Sequence, residues 1–237
     1  MESNPKRGFD RADRDDFTGS ALLRLKAARE ELIWLLDRGY SMDTASTFVG
    51  NHHSLTARQR NAMKRSVSSR SDLKLRLGKL LSPPEIMGTE VLIDGFNIII
   101  TLETALSGSL LILCGDGVIR DLAGLRGTYH LIPQTDVAIR LLFESLEVLR
   151  VASAKIYLDS PVSNSGRLKK RILEISSTFQ LPVEVSLEDD SDKVMSGKES
   201  ILTGDSIILD SCISWVNLTR DIILNNIPDP FIADLSE

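Results

Sequence analysis

A chain of 237 residues with 42% hydrophobic content and a net charge of −5 can fill a core, and is long enough for one large domain or for a small module joined to a medium one. No apolar run approaches the roughly 20 residues that span a bilayer, and the opening stretch MESNPKRGFDRADRDDF lacks the apolar core of a signal peptide. A folded, soluble, cytoplasmic protein without a membrane partner is expected.

The charge is unevenly placed. Residues 1–86 carry 16 Lys+Arg against 11 Asp+Glu, and the remainder 12 against 22. The basic excess lies between Arg58 and Lys79, where Arg58, Arg60, Lys64, Arg65, Arg70, Lys74, Arg76 and Lys79 face only Asp72. Such a density can engage phosphate, or it can be a solvated helix surface. Cys114 and Cys212 have no CxxC spacing and read as small core residues.

In chain order, Thr18 is a candidate N-cap for a helix whose apolar positions Leu22, Leu25, Ala28, Leu32, Leu35 and Leu36 recur at helical spacing, with Gly39 as its stop. Ser41 can cap a second helix holding Ala45, Phe48 and Val49, which Gly50-Asn51 is expected to break. Leu55-Thr56 opens a third through Gln59, Met63 and Val67. Two short helices around a turn suggest a helix-turn-helix-like module over residues 1–84 that could bind nucleic acid. His52 and His53 are adjacent and read as loop residues, since a regular helix would not aim both at one metal.

Ser82-Pro83-Pro84 cannot continue a helix and marks a boundary, with a second domain over residues 85–237. There VLID, KIYLD, VEVSL and SILTGD are short apolar or alternating runs, and DVAIRLLFESLEVLR and SNSGRLKKRILEISSTF have helical period and length. This predicts an α/β domain with a mainly parallel sheet flanked by helices. IIITLETAL-SGS-LLILCGD reads as an inserted β-hairpin. The C-terminal NNIPDPFIADLSE is compatible with a tail or with a strand that docks a partner.

Acid follows each of the four strands. Asp94 ends the first, Asp159 ends KIYLD, Asp189, Asp190 and Asp192 follow VEVSL, and Asp205 ends SILTGD. Ligands of an open parallel sheet sit outside the carboxyl ends of its strands, so residues far apart in sequence could converge there. Converging carboxylates repel unless a cation neutralises them, and an all-oxygen cluster suits Mg²⁺ or Mn²⁺. Each acid also has a plain structural role open to it, as a turn residue, a helix cap or part of a solvated loop. After the second strand, Ser163 or Ser165 can cap the next helix, and Arg167, Lys169 and Lys170 near its start could receive a phosphate.

DGFN at Asp94 to Asn97, LDSPVSNSG at Leu158 to Gly166, DDSDKV at Asp189 to Val194 and LTGDSIIL at Leu202 to Leu209 resemble the motif series of PIN-like nucleases, nearest to their NYN branch. The resemblance covers Glu90 to about Ile227. It implies a mostly parallel sheet flanked by helices and, in active members, metal-dependent RNA cleavage by three or four acids. Carried onto this chain, it makes Asp94 the first-strand ligand braced by Asn97, Asp192 the mid-domain acid, and Asp205 the late acid in the Thr203-Gly204-Asp205 turn, with Asp189 and Asp190 in support.

The sequence departs from that pattern in two places. Ile207 stands where a second acid of the Thr-Gly-Asp turn is usual, with Asp210 displaced from it. The early-helix acid has Glu103, Asp116, Asp121 and Asp159 as candidates; Asp159 is taken here as the fourth metal ligand. The expected activity is phosphodiester hydrolysis of RNA by metal-activated water, and the alternative is a non-catalytic RNA- or DNA-binding regulator with a degenerate PIN-like domain. RNA is the expected partner and DNA the second choice; a homo-oligomer is compatible with the sequence. Phe96, where a haloacid-dehalogenase-type phosphatase would have its second Asp, and the lack of a GxxxxGK[ST] run argue against two other phosphate chemistries. His52, His53 and His130 offer no Ser-His-Asp set.

Overall fold

The computed structural model describes residues 5–124 and 127–237. Five helices open the chain: α1 (Asp13–Asp16), α2 (Gly19–Leu36), α3 (Met42–His52), α4 (Ala57–Ser66) and α5 (Arg70–Leu77). The starts of α3, α4 and α5 follow from capping chemistry. Ser41 Oγ accepts from Thr44 N, Ser69 Oγ from Asp72 N, and Thr56 forms a capping box with Gln59, which satisfies amide groups that a helix start leaves without intrahelical partners. Gly50 does not break α3, which runs to His52. A Cβ at Gly50 would meet Arg60 Nη1 at 2.4 Å, so this glycine makes room for the Arg60 side chain.

After β1 (Leu80–Leu81) and a 3₁₀ turn over Pro83–Ile86 come β2 (Glu90–Asp94), α6 (Gly95–Leu106), β3 (Leu111–Leu113), β4 (Ile119–Asp121), α7 (Pro133–Val148), β5 (Ser153–Asp159), α8 (Ser165–Ser176), β6 (Val183–Glu188), α9 (Ser191–Met195), β7 (Ile201–Leu202), α10 (Ser206–Ser211), β8 (Trp215–Val216), α11 (Leu218–Asn226) and β9 (Ile232–Asp234). Six strands form one sheet in the order β1-β8-β7-β2-β5-β6, and every neighbouring pair is parallel. The protein is therefore an α/β fold with a parallel sheet flanked by helices.

The strands alternate their faces. Val91 and Ile93 of β2 and Ala154, Ile156 and Leu158 of β5 point into a core shared with α6, α7, α8 and α11, while Leu92 and Tyr157 join Met195, Ile208, Leu209 and Trp215 on the opposite face. That is the two-residue period of a strand buried on both sides.

The expected hairpin begins too early. Residues 95–106 are helix α6, buried on nearly all sides, and the hairpin is β3 with β4, antiparallel. A run of Ile98, Ile99, Ile100 and Thr101 has strand-like composition, but a helix buried all round shows the same apolar run, and tertiary burial outweighs the weak helix preference of β-branched residues. Gly95 permits the placement: a Cβ there would meet Leu158 Cδ2 at 2.6 Å and Tyr157 O at 2.9 Å.

The C-terminal segment is no free tail. β9 pairs in parallel with β3 in a second sheet, order β4-β3-β9. Ile112, Cys114, Ala233 and Leu235 pack with Leu25, Ala28, Leu32, Val49, Ala62 and Met63, so the first helices share a core with strands from the middle and the end of the chain. Among the described residues no helix is long and apolar enough to cross a membrane.

Candidate functional site

The strand order reverses at β2: the chain adds β5 and β6 on one side and β7 and β8 on the other. A crevice forms at the carboxyl ends of strands at such a point. A cavity of about 240 Å³ lies there, lined by Asp94, Asp159, Asp192, Asp205 and Asp121, with Arg65, Phe96, Asn97, Ile100 and Gly124. Its volume is below the roughly 300–1,000 Å³ of ordinary small-molecule sites.

Asp94 is the last residue of β2 and the N-cap of α6. Its Oδ1 accepts from Asn97 N at 3.3 Å and its Oδ2 from Thr203 Oγ1 at 2.8 Å. Thr203 Oγ1 accepts from Asp205 N at 3.0 Å, and Asn97 Oδ1 from Gly204 N at 2.7 Å. These bonds fasten the start of α6 to the turn after β7. A Cβ on Gly204 would meet Asn97 Oδ1 at 3.0 Å and Val118 Cγ1 at 3.2 Å, so the turn fits closely without a side chain at this position.

The side chains of the other acids have their own partners. Asp205 Oδ1 accepts from Ile207 N at 2.7 Å at the start of α10. Asp159 Oδ1 accepts from Ser191 N at 3.1 Å and Ser191 Oγ at 2.6 Å. Asp121 is buried at the end of β4, where its Oδ2 accepts from Thr101 Oγ1 at 2.9 Å.

Burial pushes the Asp94 carboxyl up to about 7, and the charges of Asp205 and Asp192 add to the rise against the hydrogen bonds from Thr203 and Asn97. Asp192 is pushed up to about 6, first by burial and then by Asp205, Asp159 and Asp190. Like charges crowded into a half-closed cavity make a site that favours protons or a cation.

Four of the acids read from the sequence as ligands, Asp94, Asp159, Asp192 and Asp205, thus line one pocket, with Asn97 and Thr203 bracing the first. Asp189 and Asp190 lie outside the lining. Asp189 Oδ1 accepts from Ser160 Oγ at 2.8 Å, and Asp190 caps α9 by accepting from Lys193 N at 3.0 Å. Among the other candidates for an extra acid, Asp121 reaches the pocket. Glu103 is buried beside Arg7, Tyr129 and Thr135, and Asp116 is bound by Arg120 and Arg76.

The basic residues divide by position. Arg65, half-buried on α4, is the basic member of the lining among the described residues. Arg58 is committed to the fold, paired with Asp13 and donating to Gly8 O at 2.9 Å. Arg60 donates to the carbonyls of Leu55 at 2.9 Å and Gly50 at 2.7 Å. Lys64 pairs with Asp43 at 2.6 Å near the surface. Arg167 is exposed in the first turn of α8, whose N-cap is Asn164, at φ 71°, and neither Ser163 nor Ser165. Asn164 Nδ2 donates to Tyr129 O at 2.8 Å.

The histidines correct the sequence reading. His52 is the last residue of α3, and His53 is its C-cap, followed by Ser54 at φ 50°. Among the described residues, Glu31, His52 and His53 make the one group of three or more whose ligand atoms all lie within 4.8 Å of one another; no three of the pocket carboxylates meet that spacing.

Residues 83–221, more than half of the chain, match the family described as Domain of unknown function (DUF5616). The chain belongs to the DUF5616 family. All five carboxylates of the pocket fall inside that match. Residues 24–79 of this DUF5616 protein match a second description, Protein of unknown function (DUF434), which contains Arg65. An uncharacterized protein of Methanocaldococcus jannaschii is 36% identical over 189 residues, covering 80% of this chain and 90% of its own. No solved structure matches the chain.

Proposed function

We propose that this DUF5616 protein is a divalent-metal-dependent ribonuclease of the PIN-like type. The observation that carries the reading is the convergence of Asp94 and Asp159, which end β2 and β5, with Asp192 of α9 and Asp205 at the start of α10, on one cavity at the point where the strand order reverses. The donor set is all oxygen, and the Asp94 and Asp192 carboxyls are raised first by burial and then by the neighbouring acids, both of which a bound cation would offset. Mg²⁺ keeps several of its waters and needs only one or two carboxylates directly, so acids spaced more widely than a closed cage fit it.

Asp94, Asp192 and Asp205 would hold Mg²⁺ or Mn²⁺, with Asp159 as the fourth acid. Bound there, the ion supplies Lewis acidity, which lowers the pKa of the attacking water and stabilises charge on the leaving oxygen. Thr203 and the Asn97 amide fix the Asp94 carboxylate, and Ser191 fixes Asp159, so the acids are oriented before substrate arrives. Arg65, in the same lining, would offer a guanidinium to a phosphate oxygen. It stands on α4, the second helix of a helix-turn-helix-like pair with α3, which joins the N-terminal helices to RNA recognition, with DNA as the second choice of partner.

A second reading, a non-catalytic nucleic-acid-binding regulator, is favoured by the spacing of the carboxylates and by Ile207, exposed one residue into α10 where a further acid would help. Incubating the full chain with single-stranded RNA in Mn²⁺ or in chelator separates the two. The nuclease reading expects cleavage in Mn²⁺ and none in chelator. Salt-sensitive binding with intact RNA under both conditions favours the regulator.

A further inference from the structure

We propose that Glu31, His52 and His53 form a second metal site, for Zn²⁺ or a cation of similar softness, that ties the middle of α2 to the end of α3. The three ligand atoms lie within 4.8 Å of one another. Around tetrahedral Zn²⁺, with ligands at roughly 2.0–2.2 Å, neighbouring donor atoms sit about 3.3 Å apart. Small side-chain rotations would therefore close this group on an ion.

His53 supplies the second observation. Its side chain is 13% exposed, and its Nε2 lies 3.0 Å from Glu31 Oε2. That nitrogen is nevertheless buried without a hydrogen-bond partner among the described residues. If Nε2 carries the lone pair it faces a carboxylate oxygen at repulsive distance, which a cation between the two atoms would resolve; if Nε2 carries the proton, the contact is a poorly aligned hydrogen bond. His52 stands beside them, its ring edge-on to His53 with centroids 4.9 Å apart. Two imidazoles and a carboxylate select a borderline cation over Mg²⁺, and they leave a fourth position for water. His52 ends α3 and His53 is its C-cap at φ −88°, ψ 5°, so both histidines stand where the helix gives way to the turn at Ser54. The site shares no residue with the carboxylate pocket and does not depend on the nuclease reading.

The test is calorimetric titration of Zn²⁺ into the chelator-stripped full chain, with excess Mg²⁺ present to occupy the carboxylate pocket. One equivalent should bind, and the affinity should fall in acid, because protons compete with the metal for the imidazole nitrogens. Glu31→Gln and His52→Asn should each weaken binding at least tenfold. Both residues are exposed, so these variants should keep the wild-type circular dichroism spectrum, which is recorded alongside. Asp94→Asn should bind Zn²⁺ like the wild type. The proposal is overturned if the wild type takes up no Zn²⁺, if Glu31→Gln and His52→Asn bind it unchanged, or if Asp94→Asn is the variant that loses it. No uptake would mean that a proton lies between Glu31 and His53.

Discussion

Thr203 Oγ1 donates to Asp94 Oδ2 at 2.8 Å, and so joins residues 109 apart in sequence at the ends of two adjacent parallel strands. The same hydroxyl accepts from Asp205 N, so one side chain sets the positions of two acids. Thr203→Val keeps the shape and removes both bonds. It should cost about 1–3 kcal/mol in urea denaturation, because Asp94 is left buried with one fewer donor. It should also weaken Mn²⁺ binding. Serine at this position should restore most of both.

The raised carboxyls give the metal-free protein a pH dependence of definite sign. Asp94 has a folded value of about 7 against about 3.9 unfolded, so between those values the native state binds more protons than the unfolded state. Stability must fall as pH rises through that window. Asp192, at about 6, acts in the same direction. Melting temperatures recorded from pH 5 to 8 in chelator should therefore decline more for the wild type than for Asp94→Asn, and saturating Mn²⁺ should narrow the difference by favouring the ionised form. A wild type and variant with parallel profiles would contradict the buried-acid account.

Arg120 is the most exposed to loss among the buried ion pairs. Burial alone would raise Asp116, but Arg120 and Arg76 outweigh it and hold its carboxyl below the usual range. Arg120 Nε also donates to Gly204 O at 2.6 Å, behind the Thr203-Gly204-Asp205 turn. Arg120→Met should cost about 3–5 kcal/mol, since it leaves the buried Asp116 carboxylate with Arg76 alone and Gly204 O without its donor. Asp210→Asn, at the half-exposed end of the same network, should cost under about 1 kcal/mol. Equal losses from the two changes would show that burial does not govern this network.

Arg58 and Arg65 carry the same charge in the same helix and should behave oppositely. Arg58→Ala uncovers the buried Asp13 carboxylate and should destabilise by about 2–3 kcal/mol. Arg65→Ala should fold normally, weaken RNA binding and reduce its salt slope by about 0.7–0.9. An Arg65→Ala variant with unchanged slope would remove this residue from the phosphate contacts.

Much of this arrangement was legible before the coordinates. The four strand-end acids could be found because Asp94, Asp159 and Asp205 close short apolar runs and Asp192 follows one, and parallel sheets collect such ends on one edge. Ser41 and Thr56 marked helix starts because capping is local chemistry, while Thr18 stands at the N-cap of α2 with its hydroxyl donating to Arg14 O rather than capping. What could not be read depended on distant partners. Residues 95–106 have the same apolar texture whether they form a strand or a helix buried all round. Arg58 and Arg65 differ only in what lies opposite them, Asp13 for one and the pocket for the other. The approach of His52 and His53 to Glu31 depends on how the end of α3 packs against α2, which no local pattern around the histidine pair shows.

The central claim is that strand-end carboxylates hold a divalent cation, and Mn²⁺ titration of the wild type against Asp94→Asn and Asp205→Asn tests it most directly. Each variant keeps the size of the side chain and removes a charge. The account predicts saturable Mn²⁺ binding by the wild type, at least tenfold weaker binding by each variant, and apo stability at neutral pH that is unchanged or higher in Asp94→Asn because repulsion has been relieved. Wild-type Mn²⁺ affinity in both variants, with a lower apo melting temperature for Asp94→Asn, would contradict it and make Asp94 a structural cap.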